Sequence, residues 1–134
     1  MSLDQTKIAL TLAALTFLVI GGLLTFDPAF MFSLNAIVLD PSPAMMSEIR
    51  APGALILFSG VLAVAGLINR RIESYALFAA AGLLLSYGFG RLVSLPLDGV
   101  PPLSLVFATA IELGLGTWCA VLLRRGKLPA PLPA

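Results

Sequence analysis

The sequence predicts an all-α protein: an integral membrane antiparallel four-helix bundle with a short interfacial segment between helices 1 and 2. Three observations lead there. Four apolar runs, at about residues 8–26, 48–68, 75–95 and 103–123, each approach the roughly 20 residues a helix needs to cross the hydrocarbon of a bilayer. The composition is 59% hydrophobic and 11% charged with a mean hydropathy of +1.02, whereas soluble domains carry about 25% charged residues. The basic residues also alternate between the connections, as membrane topology requires.

The same composition narrows function. At 134 residues there is length for one domain, residues 1–134. A net charge of +1 gives no basic surface for nucleic acid. With no histidine, the commonest side-chain acid/base near neutral pH is missing. A single cysteine, Cys119, leaves no intramolecular disulfide and no CxxC redox or zinc motif. No cofactor and no metal are expected.

The first run is read as a retained span. Only Lys7 against Asp4 precedes it, its apolar stretch exceeds that of a signal peptide, and no A-x-A site stands before Asp27. Asp27-Pro28 then reads as a helix N-cap followed by proline at the first helical position. Phe30, Leu34, Ile37 and Val38 follow on one helical face, which predicts a short helix lying in the outer interface. An irregular lid over the bundle is the alternative. Asp40-Pro41-Ser42-Pro43 ends the segment in either case.

In lipid, helices associate through small residues that let backbones approach. The third span offers Gly82, Ser86 and Gly90, a continuous i, i+4, i+8 stripe expected to be the main packing face. The fourth offers Ala110 with Gly114 and Gly116 with Ala120, the second Ser59 with Ala63, and the first Ala9 with Ala13. Residues 124–134 form a basic anchor running into a Pro-Ala stretch expected to be disordered.

With the N-terminus inside, the inner connections collect Lys7, Arg70, Arg71, Arg124, Arg125 and Lys127. The outer ones hold Asp27, Asp40, Glu48 and Asp98, with Arg50 as their basic residue. That asymmetry places both termini in the cytoplasm.

Arg91 and Glu112 lie inside apolar runs, where an unpaired charge is expensive. At 1.5 Å per residue, Arg91 sits about 7 Å below the outer surface and Glu112 about 13 Å below it. Side chains lean toward the N-terminus of their helix, so on antiparallel spans these two lean toward each other. An Arg91–Glu112 ion pair is the natural expectation. Tyr87, Gly88 and Ser94 share the Arg91 face; Ala108, Thr109, Gly116 and Cys119 share the Glu112 face. Glu48, Arg50 and Asp98 stand near the same outer level. This set reads either as an ion-pair network fixing helix register or as a polar pocket open to the outer leaflet.

The elements Ser47-Glu48-Ile49-Arg50-Ala51, Gly88-Phe89-Gly90-Arg91 with Ser94, Asp98-Gly99-Val100-Pro101, and Glu112 occur in that order. In this the chain resembles a family of small bacterial four-helix membrane proteins catalogued as domain of unknown function 4345, over roughly residues 8–123. Where the family pattern continues with a glycine pair after Arg-Ala, this chain has Pro52-Gly53. The resemblance implies that Glu48, Arg50, Arg91, Ser94, Asp98 and Glu112 form a shared polar cluster. It implies no activity.

The expected location is the bacterial inner membrane, and the expected role is that of an accessory subunit or a binder of a lipid or small polar ligand. The alternative is a membrane-embedded enzyme acting on a lipid-like substrate, with Glu112 as acid/base and Arg91 as electrostatic stabiliser. The expected partners are the lipid bilayer, a lipid or small polar ligand, or a membrane protein, and not nucleic acid.

Overall fold

The computed structural model describes residues 3–126 and is built of helices: α1 (Leu3–Phe26), α2 (Pro28–Ser33), α3 (Pro43–Ile68), α4 (Arg70–Asp98) and α5 (Leu103–Arg125). α1, α3, α4 and α5 are each long and apolar enough to cross a membrane. Their outward surface has the matching character. Val19, Phe58, Phe78 and Phe107 are all more than half exposed, a burden of apolar surface that a water-soluble monomer does not carry.

The connections fix the order of the bundle. Asn69 alone joins α3 to α4: its N–H closes α3 on the Ala65 carbonyl, and its side chain accepts from Arg71 N at 3.0 Å to start α4. A one-residue joint forces two antiparallel neighbours. α4 ends at Gly99, whose φ of 97° suits glycine, and Pro102 opens α5. α1 packs along α3, α3 against α4, and α4 along α5; α1 meets α4 and α5 only sparingly.

Several boundaries differ from the sequence reading, for local reasons. α3 begins at Pro43, with Ser42 as its N-cap accepting from Met45 N, rather than near residue 48. The proline cluster that ends the loop therefore also starts the helix. Pro52 sits inside α3 and Pro96 inside α4. The short helix expected between the first two spans exists as α2, with Asp27 capping Phe30 N at 3.2 Å, but it ends at Ser33. Ala36 adopts φ 57°, which turns the chain out of helical geometry before Ile37 and Val38. Arg124 and Arg125, expected in the disordered tail, form the last turn of α5 with Gly126 as its C-cap, and residues 127–134 of that tail lie outside the described residues.

The core runs through Ala9, Leu10, Ala13 and Phe17 of α1, Ile56 and Ala63 of α3, Ala76, Ala80 and Leu84 of α4, and Leu115, Cys119 and Leu122 of α5. Ala9–Ala13, Ser59–Ala63 and Gly116–Ala120 face neighbours as their spacing suggests. The Gly82–Ser86–Gly90 stripe does not. All three residues are exposed, and a Cβ on Gly82 or Gly90 would meet nothing within 4 Å. The buried face of α4 is Ala76, Ala80, Leu84 and Gly88. That row is offset by two residues, about 200° around a helix at 100° per residue, so the expected seam lies on the opposite side. Ala110 and Gly114 likewise face outward. Gly82→Ala and Gly90→Ala are therefore expected to hold or raise stability by up to about 1 kcal/mol, the propensity gain of alanine over glycine. A fall in the thermal unfolding midpoint in detergent would return the stripe to an interface.

Candidate functional site

Because α1 and α5 barely touch, the half of the bundle nearer α2 is hollow. A cavity of about 760 Å³ lies between α1, α4 and α5 and beneath α2 and the turn after it. Its α1 wall runs from Leu15 to Leu24, a height of about 14 Å at 1.5 Å per residue. Leu83, Leu84 and Tyr87 of α4 and Leu105, Ala108 and Ile111 of α5 line it, and Met31, Phe32, Leu34 and Ile37 roof it. The roof is fastened by a hydrogen bond of 2.8 Å from Ser104 Oγ to Asn35 Oδ1. Leu15, Val19 and Ile111 line the cavity while being exposed on the outer surface. The mouth is thus lateral, between α1 and α5, on a face where lipid would lie.

One charged pair breaks the apolar lining. Arg91 Nε donates to Glu112 Oε2 at 2.9 Å and to Oε1 at 3.2 Å, and both residues line the cavity. The Glu112 side chain is 11% exposed and that of Arg91 32%, so the carboxylate is the more deeply committed partner. The local sequence explains the meeting. A Cβ on Gly88 would stand 2.6 Å from Leu113 Cδ2 and 3.5 Å from Glu112 Cβ, so glycine at 88 lets α5 lie against α4 just below Arg91. The two oxygens of Glu112 share one N–H of the guanidinium. Its two terminal amino groups make no hydrogen bond among the described residues.

The other expected cluster residues stand elsewhere. Ser94 Oγ donates to Asp98 Oδ2 at 2.6 Å within α4. Ser94 shares a shallow outer groove with Arg91, Ser86, Tyr87 and Gly90, but does not line the main cavity. Arg50 reaches across to α1, where its Nη1 donates to the carbonyls of Thr25 and Phe26. It is a cation closing a helix C-terminus, a favourable place for positive charge. Glu48 is exposed near the start of α3. Among the six, Arg91 and Glu112 form the one inter-helical pair found among the described residues.

A family profile matches residues 5–123, nearly the whole chain, and its description is domain of unknown function, DUF4345. The chain belongs to that family. No curated protein and no solved structure matches it. The elements that carried the DUF4345 resemblance thus fall in three places, one of them the end of α4, where Ser94 bonds Asp98 and Gly99 caps the helix. Of Ser47 to Ala51, Arg50 joins α3 to the end of α1; Arg91 and Glu112 line the cavity, with Gly88 letting α5 approach beside them. Asn35, Ser104 and Ala108 also shape the site. Of these, Asn35 and Ser104 gave no signal in the sequence, since a hydrogen bond between residues so far apart follows no local pattern.

Proposed function

We propose that this protein is a non-enzymatic binder of a lipid or lipid-like amphiphile in the bacterial inner membrane, with both termini cytoplasmic and the cavity in the outer leaflet. The observation that carries the proposal is the cavity: about 760 Å³, within the roughly 300–1,000 Å³ of small-molecule sites, and lined mainly by apolar side chains, with Arg91 and Glu112 as its charged residues. Such a site suits a molecule with a hydrocarbon tail and a compact polar head. Its lateral mouth suits delivery from the bilayer rather than from water. The excess of basic residues at the end of the bundle away from α2 supports the orientation.

Native mass spectrometry of the protein released from lipid nanodiscs tests this, wild type beside Ala108→Trp. Ala108 lines the cavity on α5 and takes no part in the Arg91–Glu112 hydrogen bonds, so an indole there fills the space without removing either charge. The expected result is a defined lipid adduct on the wild type that is lost in the variant. A bare wild type, or an adduct that Ala108→Trp retains, would remove the cavity as the site.

A further inference from the structure

We infer that the head group held in this cavity is uncharged and rich in hydrogen-bond acceptors, that of an ester- or carbonyl-bearing lipid rather than an anionic one. The inference rests on the cavity being a lipid site, and it concerns what that site selects.

Charge decides the matter. Arg91 and Glu112 are the charged residues that line the cavity among the described residues. They neutralise each other at 2.9 Å. Arg50 is engaged at the end of α1, and Asp98 is turned to Ser94. An anionic head brought against Arg91 would therefore enter a site of zero net charge and leave it at −1, beside the carboxylate of Glu112 and without a second cation to offset it. In a medium this apolar, an uncompensated charge is expensive. A cationic head meets the same objection with the sign reversed.

Hydrogen bonding supplies the positive half of the argument. Glu112 occupies Nε alone, so the outer edge of the guanidinium keeps its terminal N–H donors. One turn earlier on α4, Tyr87 lines the same cavity and brings a phenolic hydroxyl, itself able to donate. The other polar groups of the lining are already engaged: both Glu112 oxygens face Arg91, and the Thr16 and Ser104 hydroxyls give their hydrogens to Leu12 O and Asn35 Oδ1. With no net charge and the Arg91 terminal N–H groups as its strongest free hydrogen-bonding groups, the site fits a neutral acceptor such as an ester carbonyl.

The test titrates the protein in nanodiscs with two probes of equal chain length and reads adducts by native mass spectrometry. One probe is 1-palmitoylglycerol, neutral and ester-bearing; the other is hexadecyl sulfate, ionised at every working pH. The wild type is expected to hold 1-palmitoylglycerol at least about tenfold more tightly, one factor of ten being the least that an uncompensated buried charge costs. In Glu112→Gln the guanidinium keeps its charge and loses its counter-ion, so the preference is expected to reverse. The wild-type comparison decides the question even if that variant does not fold. Equal binding, or tighter binding of hexadecyl sulfate by the wild type, would overturn the inference while leaving the cavity a lipid site. If neither probe binds, or if Ala108→Trp binds both as well as the wild type does, the cavity reading fails and the inference with it.

Discussion

Arg91→Leu is expected to destabilise the folded protein by about 3–5 kcal/mol, the cost of breaking a buried ion pair from one side. Glu112 is the reason. Its side chain is 11% exposed, and without Arg91 no other cation lines the cavity among the described residues. Glu112→Leu is expected to cost less, because Arg91 is about three times as exposed and its long side chain can carry the charge toward the mouth of the cavity. Arg91→Leu combined with Glu112→Leu is expected to recover most of the loss, since two leucines of fitting volume replace two charges that had to be desolvated. Unfolding by SDS titration, followed by circular dichroism for the four proteins, gives the coupling energy directly. Additive losses would mean that each side chain is held by separate contacts and that the pair contributes nothing as a pair.

That pair was legible before any coordinates, and the rest of the expected cluster was not. Arg91 and Glu112 stood out because charge inside an apolar run is costly, and their opposing lean followed from helix direction alone. Glu48, Arg50, Ser94 and Asp98 lay at a similar depth, but depth says nothing of position around a helix. Arg50 found the open carbonyls at the end of α1, and Asp98 found the serine one turn before it. Both are local needs, of a helix end and of an i, i+4 pair, and they outcompeted a gathering at the centre. The cavity was illegible for another reason: it is a space left where α1 and α5 meet only sparingly, and no residue type encodes a missing contact.

The bundle itself was readable as four helices because hydrocarbon thickness sets their length. Which face each helix turns inward was much harder to read. In water, polarity separates inside from outside. In a bilayer both sides are apolar, and only side-chain size distinguishes them. Gly82, Ser86 and Gly90 therefore looked like a seam and proved to be outward-facing, while Ala76, Ala80, Leu84 and Gly88 form the seam with an ordinary leucine in the row.

Gly21 and Gly22 turn that ambiguity into a measurement. A Cβ on Gly21 would collide with the backbone of α3 at Leu57 and stand 2.9 Å from the Ile56 carbonyl carbon, whereas one on Gly22 would meet nothing within 4 Å. Gly53 makes the reciprocal approach from α3, where a Cβ would lie 2.8 Å from Leu24 Cβ. The obstacle at Gly21 is main chain, which no rotamer change can move aside, so a larger residue there must part α1 from α3. Gly21→Leu is expected to cost about 3 kcal/mol or more, at or beyond the upper end of ordinary overpacking. It should also widen the cavity, whose α1 wall includes Ile20 and Leu24. Gly22→Leu is expected to stay within about 0.5 kcal/mol of the wild type, as surface substitutions do. The two variants have the same composition and almost the same hydropathy profile, so any difference in their SDS unfolding midpoints reports which glycine faces a helix and which faces lipid. Equal midpoints would mean that α1 is rotated from the arrangement described, and the α1 wall of the cavity would have to be drawn from different residues.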